Sequence, residues 1–299
     1  MFENVIIGVD GRPAGRDAVA LAHRLASPEA RVTIAYVYGE VEASPAITRL
    51  PDEQRSAARR LVEQERDAGW PGADAVSVYA ASAGRGLHEL ADHRHADLLV
   101  VGSSGHSVLG KILLGDDARA AFNGAPCALA IAPRGLGVSD TPIRMIGVGY
   151  DGEPESARAL ATAKALGARL NATVRATWVM TLQDVRNLAP LPADWDAASA
   201  TVVGHAQARL DEMDGIEGHA VYGGPREELT KLSLEVDLLV VGSRGYGPLG
   251  SIFHGSVSSY LERHAASALL VLPRDHVTEP PRATRRSTEK PQRSLSRDR

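Results

Sequence analysis

One segment of this chain occurs twice. Residues 97–116 read DLLVVGSSGHSVLGKILLGD, and residues 237–256 read DLLVVGSRGYGPLGSIFHGS. The two align without a gap. Each opens on a continuous apolar run, the pattern of a parallel strand covered on both faces. Glycines follow at matched spacing: Gly102, Gly105 and Gly115 in the first copy, Gly242, Gly245 and Gly255 in the second. A chain of 299 residues that repeats a strand and its following loop in this way is built from two copies of one α/β unit.

The spacing has a physical reading. Open parallel sheets bind ligands in loops that leave the carboxyl ends of their strands. Glycines let such a loop turn with positive φ and bring backbone N–H groups close to a ligand. Successive N–H groups form a cradle for an anion. In the second copy Gly255 and Ser256 open a helical segment, SVSSYLERHA, whose unpaired amides and dipole favour a phosphate. The first copy places Asp116 where the second has Ser256. A carboxylate there caps its own helix and occupies the amides a phosphate would use. A phosphate oxygen about 4 Å from it costs on the order of 4 kcal/mol at an effective dielectric near 20, roughly a thousandfold in affinity.

The rest of each copy alternates strand and helix. Strands are expected near Asn4–Val9, Arg31–Tyr38, Ala75–Ala80, Asp97–Gly102 and Cys127–Ala132, and again near Arg144–Tyr150, Thr173–Met180, His219–Tyr222, Asp237–Gly242 and Ala268–Leu272. Helices are expected near Pro13–Ala26, Asp52–Ala68, Leu87–Arg94 and Asp116–Asn123, then Pro154–Leu166, Asp194–Met213, Pro225–Ser233 and Ser256–His264. Strict alternation predicts parallel sheets with right-handed crossovers. Domains are expected over 1–134 and 143–274 with a short linker, and a disordered tail over 275–299, which has no apolar periodicity. The proline-bearing segments Gly39–Pro51 and Thr181–Trp195 follow the second strands and read either as lids or as surface loops.

Taken together, these features resemble the ATP-binding branch of the universal stress protein family. Its signature G-x2-G-x9-G-[ST] after the fourth strand is met in full by Gly242, Gly245, Gly255 and Ser256. GVDG and GYDG end the first strands, AYVY and TWVM the second, and both fifth strands run into a proline. The resemblance implies two tandem open parallel five-stranded sheets, order 3-2-1-4-5, with helices on both faces. It implies ATP, alone or with Mg²⁺, bound by Asp151, Val179, Gly242, Arg244, Gly245, Gly255, Ser256 and Val257. The first-copy counterparts are Asp10, Val37, Gly102, Gly105 and Gly115, of which Asp10 and Val37 keep the adenosine half of a site. It further implies a cytoplasmic stress-response regulator with slow or no hydrolysis. The apolar fifth strands want partners, so the resemblance implies an internal pseudo-dimer, with a homodimer as the other option. Two alternatives remain: an interaction module without nucleotide, and an enzyme using a nucleotide cofactor.

Composition and spacing narrow the field. A net charge of −4 argues against a general nucleic-acid binder, and no apolar run reaches membrane-spanning length. The N-terminus runs straight into a strand, so no signal peptide is expected. A single cysteine, Cys127, suits a reducing compartment. Gly105–Lys111 imitates a P-loop, but Ile112 stands where the Mg²⁺-binding hydroxyl belongs. Gly147, Gly149 and Gly152 imitate a dinucleotide fingerprint with Asp184 as its ribose carboxylate, yet Gly147 falls inside a strand. His93 and His95 point to different faces of a helix. His254, beside Gly255, reads as a surface side chain ahead of a phosphate ligand. No placed general base suggests fast phosphoryl transfer.

Overall fold

The computed structural model describes residues 2–39, 51–103, 112, 126–139, 141–188, 193–243 and 255–273. The first copy contains β1 (Phe2–Val9), α1 (Pro13–Leu25), β2 (Ala26–Tyr38), α2 (Pro51–Gly69), β3 (Asp74–Tyr79), α3 (Ala83–Arg94), β4 (Leu98–Gly102) and β5 (Ala128–Ala132). The second contains β6 (Met145–Tyr150), α4 (Pro154–Leu170), β7 (Thr173–Met180), α5 (Leu182–Leu188), α6 (Trp195–Asp211), β8 (Glu217–Tyr222), α7 (Pro225–Leu232), β9 (Leu238–Gly242), α8 (Ser258–His264) and β10 (Ala268–Leu272). The elements expected from the sequence are present within the described residues. The helix expected at Asp116–Asn123 and the tail lie outside them.

The strands form one ten-stranded sheet, ordered β3-β2-β1-β4-β5-β10-β9-β6-β7-β8. This corrects the expectation of two separate five-stranded sheets. Each half keeps the order 3-2-1-4-5, with all its pairs parallel. β5 and β10 then join antiparallel, with Leu269 opposite Ile131, Leu270 opposite Ala130 and Val271 opposite Leu129. The reason is edge chemistry. ALAIA and ALLVL are buried at every position, and an open edge that apolar would expose a ladder of unpaired N–H and C=O groups. Pairing the two removes both edges at once.

Helices cover both faces. Val5, Ile7 and Val9 of β1 belong to one buried cluster with Leu21 of α1 and Ala159 of α4, while Ile6 belongs to the cluster on the opposite face with Leu87 of α3 and Leu229 of α7. Asp97 and Asp237, which open the repeated segments, serve the sheet. Asp97 accepts the N–H groups of Glu3 and Asn4 at 2.7 and 3.1 Å, and Asp237 those of Arg144 and Met145 at 2.7 and 2.9 Å.

Side chains also tie the halves together. Asp17, buried in α1, accepts the N–H groups of Gly135 and Gly137 in the linker at 2.9 and 2.7 Å. Arg169 near the end of α4 donates to the carbonyls of Arg24, Leu25 and Ala26, satisfying orphan acceptors at the C-terminus of α1. Ile112 N–H donates to Ala265 of the other half at 3.1 Å. No described helix is long and apolar enough to cross a membrane.

Candidate functional site

The carboxyl ends of β6, β7 and β9 surround a cavity of about 700 Å³. Its lining brings together Asp151, Val179, Gly242, Gly255, Ser256 and Val257. These are the sequence-selected residues of the second copy, apart from Arg244 and Gly245, which lie outside the described residues. In the first copy Asp10, Val37 and Gly102 are described, whereas Gly105, Gly115 and Asp116 are not. His254 is likewise outside.

Each strand-one aspartate opens a tight turn. Asp151 Oδ1 accepts the N–H of Glu153 at 3.0 Å, and Asp10 Oδ1 that of Arg12 at 3.0 Å. The glycine between has φ +82° at Gly152 and +72° at Gly11, a region where a Cβ is strained. The aspartate thus shapes the entry to the next helix and also presents its carboxylate at the cavity rim. Ser156 locks the same turn, accepting from Asp151 N–H at 3.3 Å and donating to the Glu153 carbonyl at 2.9 Å.

The first motif glycine has a structural duty. A Cβ on Gly242 would lie 2.6 Å from the carbonyl oxygen of Glu155, and one on Gly102 2.0 Å from that of Ala14. No side chain can yield there, because the obstruction is backbone. These glycines let the first turn of α4 or α1 rest against the strand end, a close helix–strand approach beyond the loop turn and ligand approach expected from the motif. Gly255 and Ser256 precede α8. The Gly255 carbonyl accepts from Ser259 N–H at 3.1 Å and from the Ser258 hydroxyl at 3.2 Å. Ser256 is exposed at the cavity wall.

Several lining residues were not singled out from the sequence. Thr177 lies two positions before Val179, so strand periodicity puts both on one face. Leu229 and Pro225 arrive from α7, and Glu153 and Glu155 from the start of α4. The described lining contains three carboxylates, Asp151, Glu153 and Glu155, and no Lys, Arg or His. In the first copy Asp10 has an acidic neighbour. The Glu65 carboxyl is raised above its usual value by burial, with Arg16 opposing and Asp10 adding to the rise.

The decoys resolve simply. Gly147 sits inside β6. Asp184 accepts from the N–H and hydroxyl of Thr181 at 2.6 and 2.7 Å, capping α5. Cys127 is buried, and its thiol is pushed up to about 12 chiefly by burial, the setting of a structural core cysteine.

A family model described as "Universal stress protein family" matches residues 1–133 and again 142–273. The chain belongs to the universal stress protein family. A universal stress protein of Mycolicibacterium smegmatis is 24% identical over 291 residues, covering 90% of this chain and 96% of that one. Among solved structures, a universal stress protein from Archaeoglobus fulgidus shares the fold at a TM-score of 0.63 and 18% identity, covering 91% of this chain and 97% of its own. A Pseudomonas aeruginosa protein described as functionally unknown shares it at 0.61 and 15%, covering 92% and 93%. Such full-length matches mean that the doubled universal stress protein fold occurs elsewhere as a single chain.

Proposed function

We propose that the second-copy cavity binds one adenine nucleotide, ATP by preference, and hydrolyses it slowly or not at all. The chain then acts as a cytoplasmic regulator in a stress response, its protein contacts set by nucleotide state. One observation carries this reading. Folding gathers Asp151, Val179, Gly242, Gly255, Ser256 and Val257, distant in sequence, around one cavity of about 700 Å³, a size suited to a small-molecule ligand.

The acidic rim sets a condition on the ligand. A triphosphate beside Asp151, Glu153 and Glu155 needs counter-charge. The amides at Gly255–Ser256 would give part of it, and Arg244, two residues past Gly242 in sequence, would supply a positive charge. Hard oxygen donors suit Mg²⁺, yet no described cluster of three or more metal-ligating side chains could hold an ion unaided. Mg²⁺ would arrive with the nucleotide and offset part of its charge. Mass spectrometry of small molecules released from freshly purified protein should detect an adenine nucleotide. If none is released, and none binds at millimolar concentration, the reading is wrong.

A further inference from the structure

The floor of the cavity carries a group that the motif does not include. Thr177 of β7 is 4% exposed, and its hydroxyl makes no hydrogen bond among the described residues. It lines the cavity and also a second hollow of about 460 Å³ further down β7. The residue is buried, yet its hydroxyl is not among the buried unpartnered atoms of the described residues, so it keeps accessible surface that a ligand in the cavity can meet.

Its surroundings are those of a slot. Across the sheet, Thr177 pairs with Gly149 on β6, which adds no side chain over the floor. Leu229 closes one side so tightly that a Cβ on Gly149 would lie 2.9 Å from its Cδ1 and 3.5 Å from Val241 Cγ1. Val179 stands two positions nearer the mouth on the same face, about 7 Å higher. The space above Thr177 is apolar at its sides and has one hydroxyl at its base. That is the chemistry for a flat heteroaromatic ring with a polar leading edge.

The first copy has the same row without the hydroxyl. Gly8 pairs with Ala35 and Ala35 with Val76. Ala35 is fully buried, and Leu87 Cδ1 would lie 2.7 Å from a Cβ on Gly8.

We infer that Thr177 determines base specificity, its hydroxyl pairing with the substituent at the 6-position of a purine. This rests on the nucleotide reading above. With sugar and phosphates held at the mouth by Gly255 and Ser256, the glycosidic nitrogen faces outward and the six-membered ring leads into the slot. A hydroxyl both donates and accepts, so it serves an amino or a keto group there, and has no partner in a purine bearing only hydrogen.

The test compares the triphosphates of adenosine and of purine riboside, titrated calorimetrically into the full chain and into Thr177→Val, Thr177→Ala and Thr177→Ser. The parent should prefer ATP by about tenfold, the size of one good hydrogen bond. Thr177→Val and Thr177→Ala, the latter copying the first repeat, should lose that preference at unchanged melting temperature, and Thr177→Ser should keep it. Should one hydroxyl-free variant fail to fold, the other decides. If the parent binds both ligands equally, or either folded hydroxyl-free variant retains the preference, the inference falls while the nucleotide reading stands. If the parent binds neither ligand, both fall.

Discussion

The two halves of this universal stress protein share a backbone plan and differ in what they do with it. Both use an aspartate and a positive-φ glycine to turn from the first strand into the next helix. In both, the first motif glycine yields to helix backbone. These shared features serve the fold. The differences collect where a ligand would sit: Thr177 against Ala35 at the slot floor, and, in the sequence motif, Ser256 against Asp116. The same helix position also diverges in use. Asp17 of α1 clamps the linker, whereas Arg158 of α4 donates to the carbonyl of Pro273 at 3.2 Å. Duplication preserved the packing rules in both halves, and the binding chemistry that the sequence predicts remains in one.

The comparison can be broken most forcefully at its shared part. Gly102→Ala and Gly242→Ala each push a Cβ into carbonyl oxygen, and each should cost about 3 kcal/mol or more of stability in denaturant titrations. Similar losses in both halves support a structural duty. Unchanged stability in either would return that glycine to a purely ligand-binding role.

A sharper cut separates the halves at Ser256. Ser256→Asp copies the first repeat and should weaken ATP by roughly a thousandfold, the Coulomb cost of a carboxylate about 4 Å from a phosphate oxygen. Adenosine binding should hold, because no phosphate meets the new charge. Equal ATP affinity in this variant would remove the charge argument against ATP in the first half.

The smallest effect is expected outside both halves. Residues 275–299 carry Pro280, Pro281 and Pro291 and no apolar set to bury, and chain ends of that kind tolerate removal. Truncation after Arg274 should leave melting temperature and ATP affinity unchanged. A drop of several degrees would show that the tail docks on one half, and would add a difference between them.

Much of this was legible in the sequence, for identifiable reasons. DLLVV and its fellow runs announce buried parallel strands because both faces need apolar side chains. The pairing of the two halves through their fifth strands was implied by the family resemblance and not by local pattern. Local pattern marks β5 and β10 as apolar, but not that they pair with each other in antiparallel register. Helix α5 was read as loop or lid, since the prolines at 190 and 192 dominate its surroundings. Thr181 and Asp184, spaced as a capping pair, were the signal for it. Candidate site residues stood out where a glycine or a charge broke the strand pattern, and Val37, Val179, Ser256 and Val257 came through the family resemblance. Thr177 was missed because a threonine in a strand is ordinary by propensity; its importance comes from the glycine beside it and the cavity above.

The central claim is that the chain takes about one ATP, in its second half. Calorimetric titration of the full chain with Mg-ATP tests it most directly. One site per chain is the predicted result, abolished by Ser256→Asp. Two sites of equal affinity, or a single site that survives Ser256→Asp, would contradict it.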